Sequence, residues 1–372
     1  MRELLYLSFD SMQEGVGASQ VLAYMRKIVL LRPITLVSFE KVPPSKVLID
    51  ELNRIGINWQ PLPFGRFGPV GGISRVFRMW AVIDRKKIIH ARGNLSGMAA
   101  LLKFPSRWIW DCRSLQADQR QALTKNRGLS LNIVIWRVTE YLLAKRAPAI
   151  IVITNAVKPI ILFRYKIDPR KMHMISTCAD LDIFEQNAGN NSEQVKILLA
   201  GTFSPAYDVK LMNKIIFEIK KSRPVSVTIA TANGSTDSWH ELDFDIVLSL
   251  GHLEMPGLIQ NHDCGMSLWK NDLGVCLTSV ASTKTAEFLA CGRPVFVNSL
   301  QGDFGQLIRE YDCGVVTDSS SNEDVIAYAK KMFDLLDDAS TANKCRCLAE
   351  NHFNLESGIR DLQQLYESVD RI

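Results

Sequence analysis

The chain has 372 residues, a formal net charge of +5, and is 47% hydrophobic, 22% charged and 8% aromatic. That balance excludes a disordered, collagen-like or coiled-coil chain, and the length suffices for two domains that each bury a core. The charge is split: residues 1–186 carry 28 Lys+Arg against 14 Asp+Glu, and residues 187–372 carry 16 against 25. A basic half suits an anionic partner such as a phosphate or an anionic membrane surface, or else a second, acidic domain.

In chain order, LLYLSF (4–9), ITLVSF (34–39), NWQPL (58–62), KIIHAR (87–92), RWIWDC (107–112) and AIIVIT (149–154) read as buried strands. Helical stretches lie between them, among them 18–31, 94–103 and 131–145. The segment 61–72 (PLPFGRFGPVGG) is so dense in Pro and Gly that no regular element is expected there. A polar break, NAGNNSEQ (187–194), precedes a second series: 195–202, 225–231, 245–251, 264–269, 294–299 and 314–318. This alternation predicts an α/β protein with two Rossmann-like domains facing a cleft, over residues 1–186 and 187–354. The closing helices at 322–336, 339–352 and 356–369 outnumber the strands left to cover. A C-terminal segment, 355–372, is therefore expected to cross back to the first domain.

The opening MRELLYLSFD has too short an apolar stretch for a secretory signal, and no apolar run is long enough to span a bilayer. The eight cysteines form no CxxC pair, so free thiols in a reducing cytosol are expected and a zinc site is not.

Segment 282–303 (STKTAEFLACGRPVFVNSLQGD) carries the most chemical information. Ser282 or Thr283 is placed to cap a short helix that Gly292 ends. Thr283 and Thr285 lie at its start, where free N–H groups suit a phosphate, and Lys284 adds a full charge. Glu287 is able to accept from a vicinal diol such as a ribose. A capped surface helix with an ordinary Glu–Lys pair fits the spacing equally. Gly15 and Gly17 in the loop 10–20, and Gly201 with Lys210 in the loop after the seventh strand, permit close backbone approach or plain turns. His90 and Arg92 end one strand, Asp111 and Arg113 another, either facing the cleft or forming a structural pair. Arg75, Arg78, Arg85, Lys86 and Lys87, interleaved with apolar residues, read as a basic amphipathic stretch: a surface-binding element or a helix covering the sheet. No recognised nucleic-acid motif is present.

STKTAEFLACGRPV (282–295) resembles the P-T-K-x-x-E-x-L-A-C-G-x-P-V signature of the group 1 glycosyltransferases, the retaining family 4 enzymes of GT-B fold. LLYLSFDSMQEGVGASQVL, LVSFEK (36–41), HARG (90–93), WDCRSLQADQR (110–120) and STCADLDIF (176–184) are similar to one bacterial branch of that family. The resemblance implies a metal-independent, cofactor-free retaining transfer from a nucleotide-diphosphate sugar, of UDP or GDP type, to a glycan or polyprenyl-linked acceptor. Surface polysaccharide assembly in the cytoplasm, at the inner face of the cell membrane, is the setting it implies. On it, Glu287 holds the ribose, Lys284, Thr283 and Thr285 meet the diphosphate, and Gly15, Gly17, Gly201, Thr202 and Lys210 approach the donor. His252 and Leu253 in GHLE (251–254) lie where backbone meets the base. Gln20, Arg92, Asp111 and Arg113 fall on the acceptor side, and His90 beside the reacting hydroxyl. The chain departs from the family where Ser279 replaces the first glutamate of E-x7-E, and where Thr202 and Tyr207 replace two cations. Non-catalytic nucleotide-sugar binding and nucleotide-sugar epimerisation share this architecture and stay as alternatives.

Overall fold

The computed structural model describes residues 1–123, 130–187, 193–201, 205–231, 241–251 and 254–372. The chain forms two compact units: Met1–Ile175 joined by Glu356–Ile372, and Ser176–Leu355. The division falls before the polar break. Ala179 N donates to Phe353 O at 2.8 Å and Leu355 N to Ala179 O at 3.0 Å, which ties the connecting segment to the second unit.

The first unit is built on β1 (Leu4–Leu7), β2 (Ile34–Glu40), β3 (Ile57–Pro63), β4 (Ile88–Arg92), β5 (Trp108–Cys112), β6 (Ala149–Val152) and β7 (Met172–Met174). They lie in the order β3-β2-β1-β4-β5-β6-β7, and every register is parallel. The second is built on β8 (Val195–Ala200), β9 (Val225–Ala230), β10 (Ile246–Leu248), β11 (Cys264–Ser267), β12 (Val295–Asn298) and β13 (Gly314–Thr317), in the order β10-β9-β8-β11-β12-β13, again parallel. Helices on both faces explain why most of these strands are apolar throughout rather than alternating. The fold is the two-sheet α/β architecture that the sequence predicts. Strand order reverses between β1 and β4 in one sheet and between β8 and β11 in the other. Loops at the carboxyl ends there are the places where such sheets bind ligands.

Two local expectations are corrected, and the helix expected from residue 18 carries one unforeseen detail. Pro61–Pro63 belong to β3, which is a sheet edge, where a missing N–H costs no ladder bond. Gly68–Val82 is a helix with Pro69 in its first turn, where proline is tolerated. The helix after β1 opens with a π-helical turn, Gly17–Val21, before the α-helix Leu22–Ile28. All eight cysteines are free and only Cys347 is exposed.

In the first sheet, Leu5, Leu7, Ile89, Ala91, Trp110 and Cys112 point into one core cluster. Their alternates Tyr6, His90, Arg92 and Asp111 therefore share the opposite face, since strand side chains alternate. The terminal helix Leu355–Asp370 covers that face through Tyr366.

Candidate functional site

In the second unit, Leu199 and Ala200 of β8, Met266 and Ser267 of β11 and the start of helix Thr283–Ala290 enclose a small pocket, with Tyr207 and Phe288 completing its wall. It lies at the switch point of the sheet. Ser282 Oγ accepts from Thr285 N at 3.3 Å and so is the helix cap. Lys284 enters the pocket wall, and its Nζ sits 2.7 Å from Glu287 Oε2. Glu287 is 1% exposed, and its other oxygen, Oε1, has no partner among the described residues. The Thr285 hydroxyl lines the pocket and is likewise unpartnered. Buried polar groups are nearly always satisfied, so two open ones beside a cation and a helix N-terminus mark a place prepared for a polar ligand.

Ser267 is held in the same wall. Its Oγ receives Trp269 Nε1 at 3.3 Å and Gln301 Nε2 at 3.2 Å. These two bonds fix the Ser267 hydroxyl in the pocket wall. Neither Ser267 nor Gln301 is distinguishable in the sequence from other polar residues after a strand. Asn298 fixes the same corner by accepting from Trp269 N at 2.6 Å and donating to Trp269 O at 2.9 Å.

Of the residues expected at the nucleotide, Lys284 and Thr285 line this pocket, while Glu287 is joined to it through its bond to Lys284 and is not itself a lining residue. Thr283 is buried beside them without lining the pocket. Gly201 follows β8 with φ +129°, and Lys210 is exposed in the first turn of helix Val209–Lys220, outside the pocket wall. Lys270 instead reaches the loop after β8, donating 2.6 Å to Pro205 O. Thr202, His252 and Leu253 lie outside the described residues. Tyr207 stands 4.5 Å from the Trp269 ring, and burial pushes its phenol up to about 12, so it stays neutral and supplies no charge. Ser279 bonds back to Cys276 O at 3.0 Å.

In the first unit, His90, Arg92, Asp111, Arg113 and Gln20 form one cluster. Strand register places Tyr6 beside His90 and Arg92 beside Asp111. Arg92 donates to Asp10 Oδ2 at 2.9 Å and to Gln20 Oε1 at 2.8 Å, and Arg113 reaches the same Gln20 oxygen at 2.9 Å. Both arginines stand 3.6 Å from Asp111. Burial alone would raise the Asp111 carboxyl, but Arg113, His90 and Arg92 outweigh it and hold it at about 2. His90 is 2% exposed, stacks on Tyr6 at 4.3 Å, and uses Nδ1 to Tyr366 Oη at 2.8 Å and Nε2 to Asp111 at 3.3 Å. A carboxylate only accepts, so Nε2 carries the proton and Nδ1 accepts from the Tyr366 hydroxyl. Burial pushes the imidazole down, with Asp111 partly opposing, so it is neutral. Both ring nitrogens of His90 are thus occupied, one of them by Asp111.

The loop after β1 is held by Glu40, to which the sequence alone assigns no role. This carboxylate, 4% exposed, accepts from Met12 N at 3.0 Å, Ser11 Oγ at 2.5 Å, Gln13 Nε2 at 3.2 Å and Ser38 Oγ at 2.6 Å. Gly15 has φ +55°, but Gly17 is needed for space: a Cβ there would lie 1.8 Å from Ser11 O. Gly17→Ala is expected to cost about 1–3 kcal/mol through forced backbone displacement, read as a lowered urea midpoint.

Among the described residues, no group of three or more His, Cys, Asp or Glu is placed to hold a metal ion, and no helix is long and apolar enough to cross a membrane.

No protein-family model matches the sequence, and no curated protein matches it. Solved structures do. A glycosyltransferase from Rickettsia africae ESF-5 superposes with TM-score 0.70 at 14% identity, covering 99% of this chain and 98% of that one. Sucrose-phosphate synthase from Thermosynechococcus elongatus gives 0.73 at 13% identity, covering 99% of each chain. Anabaena Alr3699/HepE, crystallised with UDP and glucose, gives 0.72 at 13%, covering 99% of this chain and 100% of that one. The fold is therefore that of the GT-B glycosyltransferases.

Proposed function

We propose that the chain is a retaining glycosyltransferase that takes a nucleotide-diphosphate sugar of UDP or GDP type in its second unit and an acceptor hydroxyl through its first. The observation that carries this reading is the helix start at Ser282–Thr285, with Lys284 in a pocket wall, an unspent Thr285 hydroxyl and the open Glu287 Oε1. That Anabaena HepE was crystallised with UDP-glucose supports it, since the fold is shared. In this reading Glu287 Oε1 accepts from a ribose hydroxyl. Lys284, Thr285 and the helix N–H groups meet the diphosphate, and no metal ion is required. As the bond from the anomeric carbon to the leaving diphosphate lengthens, negative charge grows on that phosphate where those donors already stand, the electrostatic route to rate. The acceptor oxygen attacks the same face, and its proton passes to the departing phosphate oxygen. No side-chain nucleophile takes part.

In this reading an acceptor bearing phosphate meets the Arg92–Asp111–Arg113 cluster, which His90 and Gln20 hold. We read that acceptor as glycan or polyprenyl-linked, in surface polysaccharide assembly on the cytoplasmic side of a membrane. Titration calorimetry with UDP, GDP and ADP, followed by their sugars, tests the reading. One nucleotide diphosphate is expected to bind well above the others, and its sugar to be consumed only when acceptor is supplied. Silence with every nucleotide sinks the assignment, and epimerised sugar from donor alone replaces transfer with epimerisation.

A further inference from the structure

Helices Gly68–Val82, Gly93–Lys103 and Leu131–Arg146 lie side by side on one core cluster, which Met79, Ala99 and Leu143 enter from the three in turn. The outward face of such a helix is ordinarily polar. Here it is not. Phe67, 77% exposed, leads a stripe through Val70, Ile73, Phe77 and Trp80 at helical spacing. Leu131, 76% exposed, leads a second through Ile135, Val138 and Leu142. Scattered surface apolar residues need no explanation, but two parallel stripes on one helical layer do.

The exposed charges within these three helices are of one sign, and a single exposed carboxylate, Asp84, follows the first of them. Helices Gly68–Val82 and Gly93–Lys103 contain no acidic residue, and the one in Leu131–Arg146, Glu140, is fully buried, accepting from Tyr165 Oη at 2.7 Å. Exposed Arg66, Arg78, Arg85 and Lys86 border the first stripe, Lys145 and Arg146 the end of the second, and Lys103 Nζ rests 4.3 Å over the Trp80 ring. The basic stretch seen in sequence is thereby redrawn. Arg75 is not part of the surface: it is buried, donates to Phe64 O at 3.0 Å and Arg66 O at 2.8 Å, and stacks on the Phe64 ring. The unit as a whole, Met1–Ile175 with Glu356–Ile372, has 30 Lys+Arg against 15 Asp+Glu.

We propose that this layer docks on an anionic lipid surface, its two apolar stripes entering the headgroup boundary and the bordering cations meeting lipid phosphates. Apolar burial plus attraction to anionic headgroups is what holds an interfacial helix. A second copy fits worse, because it would set one basic face against another. The proposal rests on the lipid-linked acceptor reading for its biological sense, and it names the face through which that acceptor's bilayer is met.

The test is co-sedimentation of the full chain with phosphatidylcholine vesicles, with and without about one-third phosphatidylglycerol. Binding is expected to be at least ~10-fold tighter to the anionic vesicles, to weaken with salt, and to fall ~10-fold or more in Phe77→Asp/Val138→Asp. Lys86→Gln/Arg146→Gln changes only exposed charges and is expected to lose the preference for anionic vesicles while melting like the parent. Equal binding to both vesicle types, or full binding by the aspartate variant, overturns the proposal. So does sedimentation velocity showing a dimer that Phe77→Asp dissolves, which makes the face a self-interface. Nucleotide titrations of the same variants read the second unit alone, so loss of vesicle binding with nucleotide binding intact separates this proposal from the donor-site reading.

Discussion

Asp111→Ala is expected to destabilise the first unit by about 3–5 kcal/mol, the cost of removing one member of a buried charge cluster. Three groups depend on this carboxylate: His90 Nε2, and the guanidinium groups of Arg92 and Arg113. Arg92 is 7% exposed and cannot recover its charge partner from water, although Asp10 and Gln20 still hold two of its donors. Asp111→Asn keeps an acceptor for His90 and loses only the charge, so its cost should fall between Ala and the parent. Urea denaturation measures both, and a cost below about 1 kcal/mol for Ala shows that the cluster is not what holds this face. The pH dependence has a definite sign. The carboxyl is held at about 2 in the fold, below the roughly 3.9 of an unfolded chain. Its contribution is thus complete above about pH 4 and is lost as pH falls through 2.

Glu287→Ala should move binding and stability in opposite directions. If Oε1 accepts from a ribose, its loss weakens the preferred nucleotide diphosphate by about 1–3 kcal/mol, or roughly 5- to 150-fold in Kd. The fold, however, gains by losing a buried acceptor that nothing satisfies, while Lys284, 24% exposed, can turn its ammonium to water. The melting temperature should therefore hold or rise as affinity falls, the pattern of a functional rather than a structural residue. Glu287 also tethers Lys284, so Lys284→Ala and the double variant complete a cycle. Additive losses mean that each group touches the nucleotide. A double variant no worse than Lys284→Ala means that Glu287 acts only by positioning the lysine. Unchanged affinity in Glu287→Ala removes it from the site.

Most strand positions are legible in the sequence because parallel strands covered on both faces are plain apolar runs, as in LLYL of β1 and IIHAR of β4. Residues at the ends of such runs gather at one edge of the sheet, which is why His90, Arg92, Asp111 and Arg113 could be grouped before any coordinates. β7 escaped because MHM is three half-buried residues with no pattern to detect. The Pro-rich 61–63 segment misled because an edge strand obeys different rules from a central one. Partners from distant chain positions were invisible: Tyr366 is 276 residues from His90, and Glu40 is 28 from the Met12 amide it holds. Open hydrogen-bond positions, such as Thr285 Oγ1, exist only once every neighbour is placed.

The tie between Tyr366 and His90 also bears on how the molecule is made. During synthesis the second unit, Ser176–Leu355, emerges whole before the helix Leu355–Asp370 that closes the first. Domains usually finish from the amino end onward. Here the earlier-translated unit waits for its closing helix, its polar sheet face bare to solvent and to chaperones until that helix has left the ribosome.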